Sequence, residues 1–312
     1  MASVLVTRRI PSSVLTLLGS QQTVDLYSGE GAIPRDELLR RVADKDALIC
    51  VLTDRIDGAL LEAAPALRIV ANIAVGYDNI DVAAAEERGV VVTNTPDVLT
   101  EATAELTWAL ILGVARRVGE GDRLIRAGGW KGWALDFMLG TELRGKQLGI
   151  IGPGRIGRAV AAKAPAFGMS VVFAGRGKTA RPGFVSVDEL LVTSDVVSLH
   201  APGTPEMRHL INRRTLARMK RSAILINTAR GTAVDEEALA WALDERLIAG
   251  AGLDVYEREP VVHPALLKHE NILLVPHLGS ATRETRTAMA ELAARNVLSV
   301  LAGGEPLTPV AS

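Results

Sequence analysis

The sequence predicts an α/β protein of two doubly wound parallel-sheet domains, and three observations carry that expectation. Short apolar, strand-like runs alternate with helix-patterned segments almost throughout the 312 residues. The alternation breaks near Thr95-Pro96-Asp97 and then begins again. A glycine-rich turn, Gly152-Pro153-Gly154-Arg155-Ile156-Gly157, directly follows the first strand-like run of the second series.

In the first series, residues 3–7, 23–27, 47–52, 67–73 and 90–93 have the length and apolar content of buried strands. Between them, Pro34 opens a helix-spaced run reaching Val42. Asp81 can cap a helix over 82–88, which Gly89 ends. Thr100 then opens one long helix, expected to reach about residue 127 and to close at Gly128-Gly129. The second series places strands at 147–151, 170–174, 196–200, 223–227, 249–254 and 272–275, with a helix over 155–167 stopped by Gly168. A last helix, about 281–302, has no strand left to pair with in the second sheet and is expected to return to the first domain. The expected division is 1–99 plus 285–312 for one domain and 100–284 for the other.

Composition narrows the partners. Apolar residues at 48% and 29 glycines suit a soluble, loop-punctuated protein. With 35 Lys and Arg against 36 Asp and Glu, no global field calls for nucleic acid or an anionic membrane. The single Cys50 can form no internal disulfide, and its apolar surroundings suit an inert core thiol. Ser3-Val4-Leu5-Val6-Thr7 is too short for the apolar part of a signal peptide. No apolar run approaches the ~20 residues that span a bilayer. The expected location is the cytoplasm. His209, His263 and His269 lack ligand-like spacing, so no metal site is expected.

The glycine-rich turn has the spacing of a dinucleotide loop. Gly152 permits the tight turn, Gly154 lets a pyrophosphate approach the backbone, and Gly157 lets the following helix pack on the strand. That helix begins at Arg155 and Ile156, where free N–H groups and positive potential meet phosphates. Pro153 departs from the pattern, because proline has no N–H to offer; it should alter the loop's hydrogen bonding without abolishing binding. An NAD site places an acidic residue about 20 positions further on, to hold the ribose 2′-hydroxyl. Here that place falls on Gly175, followed by Arg176 and Lys178, with Arg181 beyond. Arg176 can stack on adenine and grip a 2′-phosphate, with Lys178 or Arg181 adding charge. A solvated basic turn is the plainer alternative. NADP(H) is the expected cofactor, with NAD(H) possible.

Three later runs each follow an apolar stretch: Ala229-Arg230-Gly231, the 254–260 run containing Asp254 and Glu259, and Pro276-His277-Leu278-Gly279-Ser280. Open α/β sheets bind ligands at the carboxyl ends of their strands. The planar fork of Arg230 can hold a carboxylate and polarise a carbonyl oxygen. His277 can protonate a developing alkoxide, and a neighbouring Glu259 would favour imidazolium and raise the histidine pKa. Together these three groups are equipment for reducing a 2-oxo acid. His200 follows another strand and can line the same cleft.

Residues 148–168, 198–202, 226–231, 251–260 and 276–282 carry a resemblance that extends over nearly the whole chain, with the motifs in order. The chain resembles the D-isomer-specific 2-hydroxyacid dehydrogenases. Ala174-Gly175-Arg176 and the 277–286 run bring it nearest to their glyoxylate/hydroxypyruvate reductases. The resemblance implies a Rossmann cofactor domain, a flavodoxin-like substrate domain and an interdomain cleft, with Arg230, Glu259 and His277 catalytic. It implies that backbone N–H groups at Val75 and Gly76 bind substrate carboxylate and that Asp254 orients the nicotinamide amide. Thr103 would touch the pyrophosphate, Thr228 and Ala229 would pack beside the nicotinamide, and His200, Pro202 and Gly279 would line the cofactor site. A homodimer is expected, in which an aromatic from the Trp130–Trp133 region, Trp133 foremost, closes the partner's pocket; core packing of those tryptophans is the alternative. Glu259 separates this chain from members with glutamine there, which need no proton transfer. NAD-linked enzymes of the D-lactate or phosphoglycerate type stay open as alternatives, as does a nucleotide-sensing corepressor on the same scaffold.

Overall fold

A computed structural model describes residues 1–175 and 182–310. In chain order the elements are β1 (Ser3–Val6), α1 (Ser12–Gly19), β2 (Thr23–Leu26), α2 (Arg35–Val42), β3 (Ala47–Cys50), α3 (Gly58–Ala63), β4 (Ile69–Asn72), α4 (Val82–Glu87) and β5 (Val91–Thr93). There follow α5 (Thr100–Ala115), α6 (Val118–Arg126), β6 (Gln147–Ile151), α7 (Arg155–Lys163), β7 (Ser170–Ala174), α8 (Val187–Thr193) and β8 (Val196–Leu199). The remainder are α9 (Arg213–Leu216), β9 (Ile224–Asn227), α10 (Glu236–Asp244), β10 (Gly250–Leu253), β11 (Ile272–Leu274) and α11 (Arg283–Leu301).

These form two compact units, Met1–Leu99 with Thr282–Ser312, and Thr100–Ala281. The first holds a five-stranded sheet in the order β2-β1-β3-β4-β5. Every pairing in it is parallel. One face packs Leu5, Leu48, Cys50 and Val70 against Leu38 of α2 and Leu60 of α3. On the opposite face Val4, Val6, Ile49 and Ile69 meet Ala290, Ala293, Ala294 and Val297 of α11. Small alanines on α11 let the helix lie close to the strands, and Thr282 caps it through Thr285 N–H at 3.0 Å.

The second unit holds six parallel strands in the order β11-β10-β9-β8-β6-β7. A parallel bridge from Phe173 to Phe184 extends the sheet past β7. The chain leaves β6 toward β7 on one side and returns as β8 on the other. The strand order therefore reverses at β6, where ligands bind in such sheets.

Two expected helices end differently. The run from Thr100 is not one helix: Arg117 takes left-handed backbone (φ 54) and separates α5 from α6. The physical reason is burial. Among its 16 residues α5 buries Trp108, Leu110 and Ile111 and six others, whereas α6 buries none and contains Gly119 and Gly121. The helix after the glycine loop ends at Lys163 and tightens into a 3-10 turn over Ala164–Phe167 around Pro165, before Gly168 in left-handed backbone.

Buried Asn296 of α11 ties the C-terminal segment to the first unit. Its Oδ1 accepts from Leu307 N–H at 2.8 Å and Thr308 N–H at 3.1 Å, and its Nδ2 donates to Thr308 Oγ1 at 2.9 Å. Asn296→Ala leaves these groups unpaired, and thermal unfolding should report a loss of about 1–3 kcal/mol.

Candidate active site and cofactor loop

Arg230, Glu259 and His277 follow β9, β10 and β11, which are neighbours in one sheet, so their loops leave the same edge side by side. Asn227, the buried last residue of β9, shapes the first loop: its Nδ2 donates to Arg230 O at 2.9 Å and its Oδ1 accepts from Ala229 N–H at 3.1 Å. The Arg230 Nη1 donates to Ala229 O at 2.8 Å. At Gly231 the Arg230 loop meets the next one so closely that a Cβ would fall inside the Tyr256 carbonyl. Only glycine fits there.

His277 Nδ1 lies 2.8 Å from Glu259 Oε2, with the two side chains 32% and 29% exposed. The other Glu259 oxygen accepts from Tyr256 N–H at 3.1 Å. Burial pushes the Glu259 carboxyl up, but the His277 hydrogen bond and charge, the Tyr256 N–H and the Arg230 charge outweigh it and hold the group below the usual glutamate range.

The backbone beneath the histidine is held by Asp254. His277 itself is in left-handed backbone (φ 53), and its N–H donates to Asp254 O at 2.9 Å. The Asp254 carboxylate accepts from Leu278 N–H and, at 2.9 Å, from Gly279 N–H. Burial drives this carboxyl above its usual range despite those donors and the His277 charge. Both oxygens of Asp254 thus already serve the loop that carries His277.

A second buried carboxylate braces the Glu259 loop. Glu236, at the start of α10, accepts from Glu257 N–H at 2.8 Å and His263 N–H at 3.1 Å. On the exposed side Glu257 meets Arg208 at 2.7 Å and His209 at 2.9 Å. Glu236 was not singled out from sequence, because an acidic residue in a first helical turn reads as ordinary end-charge stabilisation.

In the cofactor loop, Gly152 has φ 93 and lies against the segment after β8, where a Cβ would sit 2.5 Å from Ala201 N. At Gly157 a Cβ would come within 2.5 Å of Gly152 O. Around Gly154 there is open space for 4 Å, and no side chain caps the first turn of α7. The helix N-terminus at Arg155 and Ile156 is thereby left uncapped beside open space, the arrangement in which a helix start can meet a phosphate. On the segment after β8, which includes Pro202, His200 Nδ1 and Thr204 Oγ1 are buried with no partner. Burial lowers the His200 pKa to about 3, so the ring is neutral, its Nε2 2.9 Å from Ser198 Oγ. Open cradle and orphaned polar atoms together fit a dinucleotide.

Thr103 donates to Gly279 O at 3.2 Å, and Thr107 Oγ1 lies 2.9 Å from Thr228 Oγ1, so the hydroxyls of Thr103 and Thr228, both expected beside the cofactor, are engaged within the protein. Gly175 is described, whereas Arg176, Lys178 and Arg181 lie outside the described residues.

In the first unit, the turn after β4 is braced from beneath. Thr95 N–H donates to Ala74 O at 2.9 Å, Asn94 Nδ2 to Val75 O at 2.8 Å and Asn72 Nδ2 to Gly76 O at 2.9 Å. In a trans peptide the N–H points opposite its carbonyl. The N–H groups of Val75, Gly76 and Tyr77 are therefore aimed away from these donors. Asn72 and Asn94 carry no sequence signal beyond being polar residues at strand ends.

Trp133 stands 80% exposed and Trp130 55% exposed on the segment after α6. Core packing of these tryptophans is therefore excluded: neither has a buried environment. Among the described residues, no group of His, Cys, Asp and Glu could hold a metal ion, and no helix is long and apolar enough to cross a membrane.

Comparison with known proteins gives concordant findings. The family described as D-isomer specific 2-hydroxyacid dehydrogenase, NAD binding domain, matches residues 108–279. A glyoxylate reductase of Thermococcus litoralis is 47% identical over 315 residues, covering 97% of this chain and 95% of its own. A Thermus thermophilus crystal structure superposes with a TM-score of 0.95 at 49% identity, covering 99% of this chain and 100% of that one. The NADPH-dependent glyoxylate/hydroxypyruvate reductase of Sinorhizobium meliloti, solved with NADP and malonate, superposes with a TM-score of 0.87 at 36% identity, over 99% of this chain and 97% of that one.

The depressed Glu259 pKa carries a pH signature. A carboxyl whose folded pKa lies below its unfolded value stabilises the fold above the unfolded pKa, and that contribution fades as pH falls through the folded one. The stability gap between the protein and Glu259→Gln should be full near neutrality and shrink on acidification below the ordinary glutamate pKa, as unfolding measured across pH would show.

Proposed function

The chain belongs to the D-isomer-specific 2-hydroxyacid dehydrogenase family, and on that footing we propose that it reduces glyoxylate or hydroxypyruvate to the 2-hydroxy acid, with NADPH preferred over NADH. The observation that carries this reading is the hydrogen-bonded His277–Glu259 pair one loop away from Arg230. A bound nicotinamide nucleotide supplies the hydride. Arg230 holds the substrate and polarises its carbonyl oxygen. Glu259 engages Nδ1 of His277, which leaves Nε2 to deliver the proton as the carbonyl oxygen becomes an alkoxide. Hydride on carbon and proton on oxygen give the alcohol.

The N–H groups of Val75 and Gly76 hold the substrate carboxylate in this reading. Thr228 and Ala229 flank the nicotinamide, and Asp254 both braces the His277 loop and orients the amide. The NADPH preference is supported by Gly175, which offers no carboxylate to a ribose 2′-hydroxyl, by the cations Arg176 and Lys178 that follow in sequence, and by the NADPH-dependent relative from Sinorhizobium meliloti. A homodimer belongs to the same reading. Its support is the number of large apolar side chains left exposed within one stretch of chain, Val118, Ile125, Trp130, Trp133, Leu135 and Leu139, of the kind a subunit interface would cover.

A panel of 2-oxo acids assayed with NADPH and with NADH tests the substrate and cofactor together; faster turnover with NADH would overturn the cofactor assignment. In the same assay His277→Ala should lower kcat by about 10²–10⁴-fold, and an unchanged kcat would remove the proton-transfer role. Asn94→Ala frees the Val75 carbonyl, so KM for the 2-oxo acid should rise roughly tenfold while the dissociation constant for NADPH stays put.

A further inference from the structure

Pro153, the residue that departs from the glycine-loop pattern, touches the place where cofactor choice is made. The register that pairs Ile151 with Ala174 brings the residues after β6 and β7 together. A Cβ on Gly175 would lie 2.8 Å from Pro153 Cδ and 3.5 Å from Pro153 Cγ. Gly175 is not in left-handed backbone, so the obstacle to a side chain there is this contact and not its own φ.

The contact has little room to relax. Cδ is bonded to the ring nitrogen and cannot swing aside as the end of a long side chain would. Arg158 Nε donates to Pro153 O at 2.9 Å, and Gly154 N–H to Gly152 O at 2.8 Å. On the other side, Gly152 N–H donates to Ala174 O at 2.8 Å, holding the two strand ends at their present separation. Gly152 itself is backed by Ala201.

We propose that Pro153 and Gly175 form a steric lock that determines cofactor specificity: while Pro153 is present, no carboxylate-bearing side chain can occupy position 175. The lock rests on the NADPH reading above, because it explains how a ribose-binding acid is kept out. It also gives the proline a purpose. What the loop loses in one phosphate-facing N–H it gains in a rigid wall against the residue that would select NADH and repel a 2′-phosphate.

Two measurements test this. In cofactor-free protein, Gly175→Ala should lower Tm by roughly 3–8 °C, and the same change made in Pro153→Ala should have almost no effect. Calorimetric titration then reads the cofactor side. Gly175→Asp alone should leave the NADH dissociation constant no tighter, whereas Pro153→Ala/Gly175→Asp should bind NADH about tenfold or more tighter and NADPH more weakly than the unaltered protein. Equal Tm losses in both backgrounds, or a Gly175→Asp variant that gains NADH as fully as the double variant, would overturn the lock. If the unaltered protein prefers NADH, the functional reading fails on its own. The Tm comparison, made without cofactor, still decides whether the lock exists.

Discussion

All strands of each sheet run in one direction, so their carboxyl ends share one edge, where ladder hydrogen bonding stops and the departing backbone must find other partners. In this protein buried side chains supply them. Asp254 takes the N–H groups of Leu278 and Gly279, Asn227 takes both ends of the Ala229–Arg230 turn, and Glu236 takes Glu257 and His263 N–H. Asn72 and Asn94 do the same for the turn at Val75 and Gly76. Satisfying the backbone and fixing the site are thus one operation. The loops that carry Arg230, Glu259 and His277 hold their shape because leaving buried N–H and C=O groups unpaired would be costly.

The same constraint separates two carboxylates that look alike in sequence. Asp254 and Glu259 follow the same strand and lie close to the same histidine. Asp254 is 1% exposed and gives its oxygens to backbone N–H groups; burial dominates, and its pKa moves up. Glu259 keeps partial contact with water, faces the imidazole directly and feels Arg230; its pKa moves down. The carboxylate that faces the histidine is thus the one whose environment favours charge. The group that acts as a strut can bear the cost of burial because hydrogen bonding, and not charge, is its task.

Much of this was legible in the chain. Strands 147–151 and 170–174 coincide with β6 and β7, because apolar runs bounded by glycine and charge leave few choices of end. That the loops carrying Arg230, Glu259 and His277 leave one edge side by side followed from the rule that parallel strands present their carboxyl ends together. The break at Arg117 was hidden, since it depends on where α5 stops being buried, a tertiary fact. Glu236, Asn72 and Asn94 were hidden for a similar reason: each acts on a backbone atom whose need arises only after folding. The Pro153–Gly175 contact joins residues far apart in the chain and follows from the β6–β7 register, which composition does not reveal.

The three glycines of the cofactor loop show how a fold's needs and a ligand's needs divide within one motif. Gly152 and Gly157 answer to the protein: a Cβ on either would strike backbone of the neighbouring segment or of the loop itself. Those two would be required even if nothing ever bound. Gly154 answers to no neighbour, since a Cβ there meets only open space. Its lack of a side chain costs conformational entropy and relieves no contact within the chain. The space it keeps clear, in front of an uncapped helix start, meets no packing need within the chain and suits a phosphate-bearing ligand.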